Sequence, residues 1–365
     1  MNSKSDRPSR THQPAAVGVA TFVWLGVMVL LWGASWPVTK LALATVSPLW
    51  LAAIRFGSAA ICLFGFVWWK GQLCRPPVGD WSIVASMGML QMMAFTGLGM
   101  IAMTRTDTSH AVLLAYTTPL WGVLVSWLAL RQTPTRVQLL ALFVGLSGTA
   151  LICSPLEMDW HAPGTLMGSI FLLIGAVAWA VTIFHIRHHR WHTSPLALAP
   201  WQMLLATIFL TALAWTVEGA PRWGATDWHL LGMLFFIGPV ATSVCFVISA
   251  EYGRRISVFA MSNFTLGVPL IGIVTSFLFL GNHLTGLFLT GLTLVFFGAV
   301  LAAAAGGRRP AACFPVSSER EMREGNNLAS VRLMLIGDPQ PCRKAKEVSA
   351  LPCTFQREES ARDCF

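Results

Sequence analysis

The sequence predicts an all-α integral membrane protein: ten transmembrane helices arranged as two inverted five-helix repeats. Three observations lead there. The composition is too apolar for water, ten stretches have membrane-spanning length, and a set of motifs recurs at a nearly constant offset.

Hydrophobic residues make up 55% of the 365-residue chain and charged residues 11%, against roughly 25% charged in a soluble domain. A bilayer is the solvent in which so much apolar surface need not be hidden. The net charge of +9 is spread in short clusters between apolar runs, which predicts the lipid bilayer and not nucleic acid as the partner. Cys62, Cys153 and Cys245 lie in apolar runs, where thiols behave as small hydrophobes. Cys313, Cys342, Cys353 and Cys364 lack zinc-finger spacing, so neither a disulfide framework nor a cofactor is predicted.

Lys4, Arg7 and Arg10 precede the first apolar run, as in a signal peptide, but the run is too long for one and reads as an uncleaved first helix. The ten apolar stretches fall near 18–40, 48–69, 81–103, 108–130, 136–153, 164–186, 195–217, 228–250, 257–280 and 284–305, each close to the roughly 20 residues a spanning helix needs. Connections are short. On one side lie the N-terminal tail, Lys70, Arg75, Arg131, Arg136, Arg187, Arg190, Arg254, Arg255, Arg308 and Arg309. The other side holds Lys40, Arg105 and Arg222, mixed with Glu157, Asp159, Glu218 and Asp227. The positive-inside rule therefore predicts that both termini are cytoplasmic. The resulting layout is a tail over 1–17, one repeat over 18–153, a second over 164–305 and a polar, largely disordered cytoplasmic tail over 306–365.

Trp32, Lys40, Ser47-Pro48-Leu49, Leu51-Ala52 and Asp80-Trp81 recur 147 residues later as Trp179, Arg187, Ser194-Pro195-Leu196, Leu198-Ala199 and Asp227-Trp228. Pro119, Thr135 and Gly148 match Pro269, Thr285 and Gly298 at an offset of 150. A duplicated unit of odd helix number enters the membrane upside down in its second copy, an arrangement widespread among secondary transporters with a site near the midplane.

Trp32-Gly33-Ala34-Ser35-Trp36-Pro37-Val38-Thr39-Lys40 resembles the first-helix signature of the drug/metabolite transporter superfamily, EamA type. Ser47-Pro48 with Arg55-Phe56, Tyr116-Thr117-Thr118-Pro119-Leu120-Trp121, Gly267-Val268-Pro269-Leu270, and Gly145-Leu146-Ser147-Gly148 with Gly298 resemble later motifs of that family, over about residues 20–305. A Gly-Glu pair usual between helices four and five, and again between nine and ten, reads here Arg131-Gln132 and Gly281-Asn282. The resemblance implies export or exchange of small solutes such as amino acids across a bacterial inner membrane, by alternating access and without a cofactor.

Candidate pathway residues follow. Arg55 sits two turns into the second helix, where a cation costs roughly 2.5–3.5 kcal/mol unless it faces a cavity or partner. It either binds a substrate carboxylate or phosphate or serves as a structural arginine. Lys40 ends the first helix, as an entrance charge or an interface anchor, and its mate Arg187 would mark the opposite mouth. Gln202, the mate of Arg55, is neutral. Gln91, Tyr116, Ser109 and Asn263 can hydrogen bond a ligand or join helices, and Trp32, Trp36 and Trp179 can line a cavity or pack. Pro37, Pro119, Pro239 and Pro269 are expected to interrupt their helices.

Helix interiors are almost free of carboxylates, which disfavours a buried-acid proton relay. His185, His188, His189 and His192 follow the i, i+3, i+4, i+7 spacing that would gather them on one helical face. With Arg187 and Arg190 interspersed and no carboxylate or Cys nearby in sequence, they read as a cationic helix end, and no metal is predicted. No catalytic constellation emerges, so the chain is not predicted to be an enzyme. Competing readings are a membrane enzyme acting on lipid-like substrates and a regulatory scaffold acting through its tail. Small-residue faces also allow homo-oligomers.

Overall fold

The computed structural model describes residues 19–130, 134–152, 154, 156, 162–221, 227–252, 265, 267–281 and 285–306. Both tails and Asn263 lie outside the described residues, as do Gln132 and Asn282. The described chain is helical and holds no strand. Among the described residues seven helices are long and apolar enough to cross a bilayer: α1 (Val19–Ala42), α2 (Pro48–Trp69), α3 (Val78–Met103), α4 (Thr108–Ala129), α6 (Thr165–His188), α7 (Pro195–Val217) and α8 (Trp228–Tyr252). Three shorter apolar helices complete the described set: α5 (Arg136–Ile152), α9 (Gly267–Leu280) and α10 (Gly286–Gly306). Between a third and a half of each long helix's most apolar window is buried. The remainder, including Trp68, Trp69, Trp215 and Phe235, turns large apolar side chains outward, a surface suited to hydrocarbon and not to water.

Local sequence sets the helix starts. Pro48 and Pro195 open α2 and α7, where a missing N–H has no cost. Ser194 Oγ accepts from Ala197 N, and Asp227 Oδ1 accepts from Leu230 N at 2.8 Å. At α5, Thr135 Oγ1 accepts from Gln138 N while Gln138 Oε1 accepts from Thr135 N, a reciprocal capping box. Thr285 caps α10 with one such bond, its Oγ1 accepting from Phe288 N at 3.0 Å.

Helix interiors depart from the sequence expectation at Pro37 and in two π-helical stretches, and agree with it at Pro119. Pro37 does not end its helix; α1 runs through it, since neighbouring helices can enclose the freed carbonyl. The fourth helix breaks at Tyr116–Thr117 between Ala115 and Thr118. There Pro119 supplies no N–H, and the Thr117 and Thr118 hydroxyls donate to the carbonyls of Leu114 and Ala115. The third and eighth helices each contain a π-helical stretch, Met87–Phe95 and Phe236–Val244, which periodicity did not foretell.

Two close pairings organise the bundle. α2 packs along α7 through an alanine-rich stripe that includes Ala52, Ala59, Ala199 and Ala206. The start of α2 meets Glu218 just beyond α7, while Trp201 near the start of α7 donates to Cys74 O beyond α2, so these helices run antiparallel. α5 packs on α10 with backbones nearly touching. A Cβ at Gly148 would meet Gly291 O at 2.6 Å, and one at Gly298 would meet the Gly145 Cα at 2.7 Å. Small residues let helices approach this closely, which raises dispersion contact in lipid.

Candidate functional site

A cavity lies among α1, α2, α3, α4, α6 and α8, a cleft between helices of the kind that small-molecule sites favour. Of the nine sequence candidates, Trp32, Trp36, Arg55, Gln91, Tyr116 and Trp179 line it. Lys40 and Gln202 do not, and Asn263 lies outside the described residues.

Aromatic rings form most of the wall. Trp36 meets Tyr116 at 6.3 Å between centroids, and Tyr116 stands edge-on to Trp179 at 5.8 Å. Trp179 packs on Phe95 at 4.7 Å, and its repeat mate Trp32 packs edge-on against Phe246 at 6.3 Å. Each of these phenylalanines sits at or just beyond the end of a π-helical stretch. The break in α4 positions Tyr116, and the π stretch of α3 presents Gln91, Met92 and Phe95 together.

Among the described residues Arg55 is the one charged residue in this wall. Its Nε donates to Thr242 Oγ1 at 2.9 Å, and Thr242 in turn donates to Ile237 O, five residues back along the π stretch. Phe56 also lies beneath the guanidinium, 5.9 Å from ring centroid to Cζ. Among the described residues no acceptor meets the terminal guanidinium nitrogens, which leaves a planar fork able to hold an oxyanion in two parallel bonds. Gln91 Oε1 is buried without a partner among the described residues, an acceptor left for a ligand N–H.

Lys40 lies off the cavity wall and is spent on backbone carbonyls. Its ammonium donates to the carbonyls of Met103 and Thr106 at the end of α3, where a cation satisfies the last turn. Arg187 is exposed at the far end of α6. Gln202 is 1% exposed, and neither atom of its amide has a partner among the described residues.

The histidine stretch corrects an expectation. α6 ends at His188, so His189 and His192 leave its helical face. A carboxylate does reach them, from 109 residues earlier in the chain: Asp80 Oδ1 lies 2.9 Å from both His189 Nε2 and His192 Nδ1. Asp80 was visible in sequence only as a repeat mate of Asp227, and nothing local signalled this pairing. Thr242, Phe95 and Phe246 were missed similarly, because their roles come from tertiary packing.

A family model described as EamA-like transporter family matches residues 20–154 and 166–304. An uncharacterised transporter of Bacillus subtilis (strain 168), YvbV, is 24% identical over 75% of this chain and 88% of its own length. A second from the same organism, YoaV, is 21% identical over 75% of this chain and 94% of its own. The uncharacterised inner membrane transporter YedA of Escherichia coli (strain K12) is 26% identical over 43% of this chain and 49% of its own. A solved protein crystal structure aligns with a TM-score of 0.55 and 20% identity over 79% of this chain and 98% of its own, which speaks to the fold. With a family model matched twice along a chain of many apolar helices, this protein belongs to the EamA-like transporter family and is a multi-pass membrane transporter.

Proposed function

We propose that the chain is a secondary transporter, an exporter by its family likeness, that carries small solutes bearing a carboxylate or similar oxyanion, with amino acids as the reference class. The observation that carries this reading is Arg55: a half-buried cation on the cavity wall with unspent terminal donors and no carboxylate beside it. A guanidinium held by Thr242 at one nitrogen is oriented before a ligand arrives, which lowers the ordering cost of binding. Gln91 Oε1 suits a ligand N–H, and the ring of Trp32, Trp36, Tyr116 and Trp179 suits an apolar body.

The working architecture is ten transmembrane helices in two inverted five-helix repeats, over 18–153 and 164–305, with both termini cytoplasmic. Several mirrored features support it. The repeat mates α2 and α7 run antiparallel against each other, as inverted copies must where they meet on the axis. The π stretches occupy matching places in α3 and α8, and Thr135 and Thr285 cap α5 and α10 alike. Alternating access then consists of the halves rocking about the cavity. Among the described residues the wall holds no carboxylate, His or Cys, so membrane-enzyme chemistry on a lipid would lack the usual base for its hydroxyls.

The test is counterflow in sealed proteoliposomes containing purified protein, screened with amino acids, organic acids and neutral analogues. Saturable exchange restricted to anion-bearing solutes is expected. Exchange of neutral solutes alone would sink the oxyanion reading.

A further inference from the structure

We propose that Asp80, His189 and His192 form a divalent transition-metal site of zinc type, separate from the solute cavity, that pins the start of α3 to the connection between α6 and α7. One ligand atom from each residue lies within 4.8 Å of the others. Two imidazoles and a carboxylate are a borderline donor set suited to zinc.

The geometry is convergent. His189 Nε2 and His192 Nδ1 both point at Asp80 Oδ1, each at 2.9 Å. In the hydrogen-bonded form each neutral ring keeps its proton on the inward nitrogen. A tautomeric shift to the outer nitrogen turns two lone pairs inward beside the carboxylate oxygen, with no net change of charge on the rings. A tetrahedron with bonds of about 2.0–2.1 Å has ligand–ligand edges of about 3.3 Å, so each nitrogen, 2.9 Å from Asp80 Oδ1, needs to part from that oxygen by only a few tenths of an ångström.

The support around the three ligands is in place. Asp80 is fully buried, and its other oxygen accepts from Thr193 N at 2.9 Å, a bond that orients the carboxylate. The His189 side chain is 7% exposed and that of His192 57% exposed, so one ligand is held from within and the other leaves an approach from solvent. That open side leaves room for a water as fourth ligand. Gly79 makes the approach possible: a Cβ there would meet His192 Cε1 at 2.7 Å. His188, by contrast, turns its Nδ1 to Phe184 O on its own helix and takes no part.

The test uses the full chain purified with a histidine-free tag, stripped with a chelator and re-equilibrated with micromolar zinc. Metal content and the thermal unfolding midpoint are then measured. Wild type and His188→Ala should each hold about one zinc per chain and unfold at a higher temperature with zinc than without. His192→Ala, which alters a mostly exposed side chain, should insert normally, bind zinc at least roughly tenfold more weakly and lose the zinc-dependent shift. Asp80→Asn should behave likewise. Folded wild-type protein that takes up no zinc would overturn the proposal, leaving a hydrogen-bonded clamp. Equal zinc in wild type and His192→Ala would place the metal elsewhere and overturn it too.

Discussion

Arg55→Ala offers the sharpest measurement, because the structure fixes both the size of the expected effect and the class of solute that should show it. The terminal guanidinium nitrogens have no described acceptor, so a bound oxyanion would take charge-assisted bonds with nothing to displace. Such bonds contribute about 1.5–3 kcal/mol when one partner is charged, which is roughly a 10- to 150-fold loss of affinity. Arg55→Lys keeps the charge but loses the fork and should fall between. Thr242→Val removes the acceptor that orients Nε, a loss of about 1 kcal/mol or roughly fivefold. The assay is half-saturation of counterflow for a carboxylated solute and for its amide or ester analogue, in each variant. A cycle over variant and solute isolates the arginine–carboxylate coupling from general damage. The analogue should respond little to Arg55→Ala, and the carboxylated solute strongly. Equal losses for both solutes would mean that Arg55 is structural, and no loss for either would remove it from the pathway.

Three further outcomes follow from packing. Gly148→Ala places a methyl 2.6 Å from Gly291 O, and overpacking of this kind costs about 1–3 kcal/mol; a lower unfolding midpoint in detergent checks it. Gln202→Leu removes a buried amide with no described partner, so the midpoint should rise, with about 1–3 kcal/mol available from the relieved desolvation; a fall would reveal a partner. Glu218 accepts from Ser47 Oγ at 2.6 Å and from the backbone N–H groups of Leu49 and Trp50 at the start of α2. Discounted for its partial exposure, Glu218→Ala should cost about 1–2 kcal/mol. Adding Ser47→Ala to it should cost less than the sum of the two single changes, as a cycle of unfolding midpoints would show.

Much of the fold was legible because the bilayer imposes a simple rule: an apolar run of sufficient length is a helix. The bounds of α2 and α7 match the runs 48–69 and 195–217, since Ser-Pro marks both starts. Irregular backbone was not legible. Pro37 and Pro119 look alike in sequence, yet α1 continues through the first while α4 breaks before the second. At α4 the Thr118 hydroxyl takes up Ala115 O, the carbonyl that Pro119 leaves without its N–H, whereas around Pro37 the Ser35 and Thr39 hydroxyls bond Trp32 O and Ser35 O within a continuous helix. The π stretches are nine residues each, too short for periodicity to separate them from an α-helix. The cavity was readable in its aromatic and cationic residues, whose types are costly or conspicuous in a membrane. It was unreadable in Thr242, whose hydroxyl acquires meaning only beside Arg55.

The two halves differ where a ligand would be felt and agree where helices must pack. Thr135 and Thr285 cap equivalent helices, Gly148 and Gly298 admit equivalent backbones, and Trp32 and Trp179 both stand on the cavity wall. Arg55 and Gln202 break that agreement, one charged and on the wall, the other neutral and sealed from it. Burying a second arginine in place of Gln202 would carry the desolvation cost of an unpaired cation, whereas a neutral amide there costs far less. On the proposed inverted-repeat reading, the asymmetry lets the two halves keep their common packing while presenting one positive charge to the cavity. On the proposed reading, a solute with a single oxyanion and an apolar remainder would match one cation set in a largely aromatic wall, and a solute with two well-separated anions would leave one of them unmet.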